Sequence, residues 1–245
     1  MRSAIVILFV FVGGSALAQD SYLVFRTGVG TYSMKTEKTF RNEFLSSVNL
    51  PLRVTDDFPP YFTFGVSAVG KISSNSAVGI SFDYMSTGGR LSYKDYSGYA
   101  LLDQNLIGTQ YGVLFQTKVN RSQDWSLLVT FNASLIHSVL SLTDALSIGT
   151  SLQSESEKLT SNSYGLRPGI MAQKKIRRWV FQAGLGYEFQ TSEALKTSNN
   201  KYLFSPLSRI ETTADWSGVR LSIGAGILLY RKAPEPVNGN RQWVD

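Results

Sequence analysis

The chain has 245 residues, with 24 Lys+Arg against 18 Asp+Glu, one histidine and no cysteine. Without cysteine, disulfide-stapled scaffolds and thiolate metal centres are excluded, a single histidine argues against an imidazole-based metal site, and no cofactor is expected. The formal charge of +6 is spread along the chain without a run of five like charges, so no nucleic-acid partner is expected.

Arg2, the nine apolar residues from Ala4 to Val12 and the Ala16-Leu17-Ala18 triplet form the three parts of a secretory signal, which predicts cleavage after Ala18. Nine apolar residues fall short of the ~20 that a spanning helix needs. No later run approaches that length, which excludes helical membrane spans. Residues 19–231 are read as one all-β domain. Residues 232–245, with Pro234, Pro236 and Gly239, are read as a disordered periplasmic tail.

Eight segments alternate apolar and polar residues with period two. In chain order they are Ser21–Tyr32, Tyr61–Ile72, Ala77–Thr87, Ile107–Val119, Trp125–His137, Ser163–Lys174, Trp179–Gln190 and Ser217–Tyr230. The clearest is Trp179–Gln190, with Trp179, Phe181, Ala183, Leu185, Tyr187 and Phe189 on one face and Val180, Gln182, Gly184, Gly186, Glu188 and Gln190 on the other. Two are less regular: Val24 sits on the polar face of the first, and Pro168 interrupts the sixth. Each is long enough for a transmembrane β-strand, which takes ~9–11 residues at ~45° tilt.

The connections alternate in length. Ser73–Ser76, Asn120–Asp124 and Lys175–Arg178 are tight turns, whereas Ser33–Pro60, Gly88–Leu106, Ser138–Asn162 and Thr191–Trp216 are long and total 98 residues. Outer-membrane barrels have short periplasmic turns and long extracellular loops, so four loops are expected at the cell surface. The first should carry a short amphipathic helix on Phe40, Phe44, Leu45 and Val48, with Glu37 and Arg41 spaced as an i, i+4 pair, capping the mouth of its own barrel. Thirteen strand glycines fall on the polar face and only Gly70 on the other. An eight-stranded bore is just wide enough to be filled by side chains, so many inward positions must be small.

The predicted fold is therefore all-β: a closed eight-stranded antiparallel transmembrane barrel with a short helix in its first long loop. With its signal peptide and alternating connections, the chain resembles the small outer-membrane barrels typified by the OmpA transmembrane domain and OmpX. The stretches Gly28–Lys35 and Tyr84–Arg90 are similar to the outer-membrane β-barrel domain proteins of Bacteroidetes. The resemblance implies a Gram-negative outer-membrane location, with outer-membrane lipid and a surface partner as the binding partners. It carries no catalytic motif.

Inside the bore, an unpaired charge would be costly, so opposite charges should meet there. The inward candidates are Arg26, Asp83, Arg167, Glu188 and Arg220, with Glu188 expected to pair with Arg167 or Arg220 and the network to help close the bore. Trp125, Trp179, Tyr84, Tyr164, Tyr187 and Trp216 suit an aromatic girdle. Basic residues, including Lys118, Lys174, Lys175, Arg177 and Arg178, gather at the short-turn end.

The leading functional reading is a structural or surface-interaction protein, not an enzyme. The alternative is a lipid-modifying enzyme using His137 with Ser138 or Ser141, but His and Ser two apart on one strand face are absent, since position 139 is Val139. A small pore and a soluble lipocalin-like carrier are further alternatives. The pore is disfavoured because aqueous channels need ~16–18 strands, and the carrier because it needs an apolar interior.

Overall fold

The computed structural model describes residues 20–47, 53–94, 96, 98–120, 122, 125–148 and 151–231. The predicted signal peptide and tail lie outside the described residues. Among those described, no helix is long and apolar enough to cross a membrane.

The strands are β1 (Asp20–Gly30), β2 (Arg53–Asp57), β3 (Tyr61–Lys71), β4 (Ser76–Lys94), β5 (Gly98–Lys118), β6 (Ser126–Ile148), β7 (Ser151–Ile176), β8 (Trp179–Thr191), β9 (Lys196–Thr197) and β10 (Gly218–Arg231), with one helix, α1 (Lys35–Ser47). Eight strands form a ring in which each pairs antiparallel with two neighbours, in the order β1, β3, β4, β5, β6, β7, β8, β10. Pairing of β1 with β10, from Asp20↔Arg231 to Gly30↔Arg220, joins the two ends of the chain's ring. No edge is left in the lower part, so each ring strand there is paired on both sides.

The ring is uneven in height. β1, β3, β8 and β10 have 11 to 14 residues, while β4 to β7 have 19, 21, 23 and 26. Two of the four expected loops, Gly88–Leu106 and Ser138–Asn162, are thus corrected to strand: β4 pairs with β5 as far as Lys94↔Tyr99, and β6 with β7 as far as Ile148↔Ser151. The physical reason lies in the faces. In the lower part of β4, Val78 and Ile80 point outward and are exposed, whereas Ser81 and Asp83 point inward and are buried. In the upper part the outward residues are Arg90 and Ser92, and inward Leu91 is fully buried. The same inversion runs through β6, from outward Val129, Phe131 and Leu135 to inward Leu140.

Above the short strands, the two remaining loops fold inward. α1 places Phe40, Phe44 and Leu45 against Leu91, Leu102, Leu142 and Leu203, with the Phe40 and Phe44 rings stacked at 6.5 Å. The loop after β8 inserts Leu195, Ala214 and Trp216 against Met34, Leu106, Ile136, Leu140 and Leu159. β2 extends the wall beside β4, and Phe58, with a left-handed φ of 45°, turns its ring inward over Gly89. A left-handed φ is uncommon for a bulky residue, and here it swaps a wall position for a place in the upper core. Glu37 and Arg41 do not form the expected pair. Arg41 turns to Asp57 at 2.9 Å and donates to the Asp56 carbonyl, because the same helix face that meets the wall carries both residues into the packed mouth.

Candidate functional site

The bore is filled in three layers. At the short-turn end, Tyr22, Val24, Val69, Ala77, Leu114 and Val180 form an apolar floor, which explains why Val24 occupies an otherwise polar face. The Tyr22 hydroxyl donates to Gln116 Oε1 at 2.6 Å, satisfying the one polar group that the phenol brings into that floor.

Above the floor lies the charged layer. Asp83 on β4 bridges two arginines, Oδ1 to Arg26 Nη2 of β1 at 2.8 Å and Oδ2 to Arg167 Nη2 of β7 at 2.7 Å. Arg167 Nε lies 3.6 Å from Glu188 of β8, a longer contact, and Gln110 Nε2 of β5 lies 3.2 Å from both Glu188 carboxylate oxygens. Strand geometry makes this layer possible. Gly65 faces Asp83 across the β3–β4 ladder, and a Cβ there would collide with Asp83 Oδ1; Gly165 makes the same room for Glu188 Oε1. Over Arg167–Pro168 the β7–β8 ladder is interrupted, consistent with the missing proline N–H. A cavity of about 60 Å³ among Arg26, Asp83, Asn132 and Arg167 holds space for a few waters.

Arg220 meets neither carboxylate directly. Its guanidinium donates to the carbonyls of Thr31, at 2.6 Å, and Trp216, and stands 4.7 Å above the Tyr32 ring. It therefore belongs to the join between the charged layer and the plug above. Trp216, which the sequence suggests for the girdle, is instead fully buried at the centre of that plug, because its inward parity points it into the bore. That parity, shared with inward Arg220, is the signal in the sequence that sets it apart from the outward girdle residues. Trp125, Tyr164, Trp179 and Tyr187 are outward and exposed.

The plug is pinned by polar contacts between its two loops. Thr36 Oγ1 lies 3.0 Å from the Thr213 carbonyl and 2.9 Å from the Thr213 amide nitrogen, and Glu43 accepts from the Leu207 and Ser208 amides, each at 2.9 Å. Glu37 is fully buried between them with one carboxylate oxygen unpartnered. Desolvation is the main reason its pKa is pushed up to about 8, with nearby Asp215 adding to it. In an unfolded loop Glu37 would ionise near 4.5, so the packed mouth holds the extra proton. Mouth stability should be fully present below the unfolded value and fall as pH rises toward about 8, by at most about 1.4 kcal/mol per pH unit. Hydrogen exchange of α1 amides read against pH checks this: Glu37→Gln should flatten the dependence, and an unchanged slope would refute it.

His137 and Ser138 do not assemble into a site, and Ser141, on the same face as His137, stands four residues farther along β6 opposite Lys158. His137 Nδ1 is 2.8 Å from Asn162 Oδ1 on the outer face, while Ser138 faces inward and accepts a hydrogen bond from the Trp216 indole at 2.9 Å. Adjacent strand residues point to opposite faces, so the sequence neighbours never share a site. Among the described residues no group of His, Cys, Asp or Glu is arranged to hold a metal ion.

These features define a class of protein: a ring of eight antiparallel strands with a filled bore, an outward apolar belt and a plugged mouth. No family model matches the chain, and no curated protein matches it. Among solved structures it is similar to Ail, the attachment invasion locus protein of Yersinia pestis. In complex with the heparin analogue sucrose octasulfate, Ail is 14% identical with a TM-score of 0.34, the match covering 86% of this chain and 99% of that one. A second structure of the same protein gives 13% identity over the same shares, again with a TM-score of 0.34.

Proposed function

We propose that this protein is an outer-membrane β-barrel with a closed bore, serving as a structural or surface-interaction protein whose tall β4–β7 wall and plugged mouth stand above the membrane. The observation that supports it is the outward belt and the level at which it ends. Phe25, Phe64, Phe131, Phe181, Leu185, Leu221 and Ile223 are exposed around the ring, far more apolar surface than a soluble monomer leaves in water. Along β8 the belt runs from Trp179 to Phe189. Ten residue steps of about 3.4 Å at about 45° tilt rise about 24 Å, close to the ~25 Å apolar band of such barrels. Above Tyr84 the outer face turns polar and the inner face apolar, as passage from lipid to water requires.

The filled bore argues against a channel, and the separation of His137 from Ser138 argues against lipid modification. The test is folding into phospholipid vesicles. Leu185→Arg should cost about 2–4 kcal/mol, the penalty for arginine on the lipid face near the midplane, whereas Ser222→Ala on the inward face should be nearly neutral. Equal effects would remove the membrane reading. On intact cells, a tag at Asn199 should be accessible and one at Ser74 should not.

A further inference from the structure

The short-turn rim carries a charge imbalance that neither the bore nor the belt explains. Six cationic side chains, Lys71, Lys118, Lys174, Lys175, Arg177 and Arg178, surround this end, and among the described residues the carboxylate there is Asp20. Asp20 is already engaged by Lys175 at 3.3 Å, beside the Tyr22 ring. In sequence the β5–β6 turn adds Arg121 and Asp124, which offset one another.

Lys174, Arg177 and Arg178 are exposed, Lys174 on the outer face of β7 and the two arginines in the turn that follows it. Lys174 lies opposite Phe181 on the outer face, and the Ser126↔Gln173 pairing brings Trp125 alongside Lys174. Trp125 and Trp179 are 47% and 54% exposed and flank the three cations. Tryptophan and long basic side chains interleaved at the end of an apolar belt are the groups that occupy the headgroup level of a bilayer.

A second observation concerns the turn itself. β7 and β8 are joined by two residues, Arg177 and Arg178, and Arg177 has a left-handed φ of 55°. Two-residue hairpins favour Asn or Gly where φ is positive, because a Cβ is strained there. Arginine therefore stands where local turn chemistry disfavours it, and what it adds is charge.

We infer that this rim binds the phosphate headgroups of anionic phospholipid in the leaflet that borders the short turns. The inference rests on the bilayer reading of the belt. Charge complementarity selects a phosphate anion, and continuity with the belt selects a lipid as its source. Each cation near an anionic surface favours that lipid by about fivefold before screening by salt.

The probe is brominated phosphatidylglycerol, compared with brominated phosphatidylcholine at equal mole fraction, as a quencher of tryptophan fluorescence in the full-length chain carrying Trp243→Phe. Buried Trp216 supplies an unquenched background. Quenching should favour phosphatidylglycerol, and high salt should weaken that preference. Lys174→Gln with Arg177→Asn and Arg178→Gly should lower it by about a hundredfold before screening and by less as salt rises, while Lys158→Gln at the far end of β7 should leave it intact. Asn-Gly is a preferred hairpin turn, so the triple variant is expected to fold. Equal quenching by the two lipids, or a preference undiminished in the triple variant, would overturn the proposal. Displacement by dissolved glycerol phosphate would overturn the lipid assignment in favour of a soluble anion. Absence of quenching by either lipid would instead strike the membrane reading itself.

Discussion

Replacing Asp83 by alanine should destabilise the folded ring by about 3–5 kcal/mol, the cost of leaving a buried charge without its partner. Asp83 holds Arg26 at 2.8 Å and Arg167 at 2.7 Å, with all three side chains 10–15% exposed. Without it, Arg26 loses its only described ion pair and Arg167 keeps only the longer contact to Glu188. Adding Arg26→Met should recover part of the loss, since removing a charge together with its partner is far cheaper than stranding it. Urea titration of the vesicle-folded protein measures both variants. A loss below about 0.5 kcal/mol for Asp83→Ala, the scale of an ordinary surface substitution, would show that water in the small cavity already solvates the arginines.

A loss of similar size, about 3–5 kcal/mol, is expected for Trp216→Ala, from the cavity that a deleted large aromatic leaves. Trp216 is fully buried, meets the Tyr32 ring edge-on at 5.0 Å and donates its indole N–H to Ser138. Its removal empties the centre of the plug and strands a buried hydroxyl as well. The structure also offers a repair. A Cβ on Gly108 would come within 2.8 Å of the indole ring, so Gly108→Leu, which clashes in the native protein, should refill the space and restore part of the stability when Trp216 is alanine. The belt is untouched in both variants, so insertion into vesicles should persist while the mouth loosens. If Gly108→Leu were harmful alone and no better in the double variant, the packing account of the plug would be wrong.

The two substitutions probe different levels of the bore, and the levels differ in how far the chain reveals them. Period-two alternation identifies all eight ring strands, because the outward belt residues are apolar and their neighbours must fit a narrow interior. The inward assignments of Arg26, Asp83, Arg167, Glu188 and Arg220 follow from that parity alone. Their partners do not. Strand tilt and stagger decide which inward residues meet, so Asp83, six residues above Ala77 on β4, becomes the bridge between two arginines, and Arg220 is drawn upward to backbone carbonyls.

What the sequence by itself determined is the belt and its consequence: eight strands, which face looks outward, and which glycines make room within. That much is local, set by alternation against one solvent. What only the tertiary structure decided lies above the belt. There the outward residues turn polar while the strands run on, and the apolar residues of β4 and β6 move to the inner face, as the proposed passage from lipid to water requires. A test for one constant apolar face therefore stops where the solvent changes and reads the remainder as loop. The plug is equally out of reach of local pattern. Trp216, Leu195 and Glu37 are buried only because a helix from one loop and the turns of another fold over the low side of the ring and meet inside it. That burial is a property of contacts between segments more than 150 residues apart, and no stretch of the chain carries it alone.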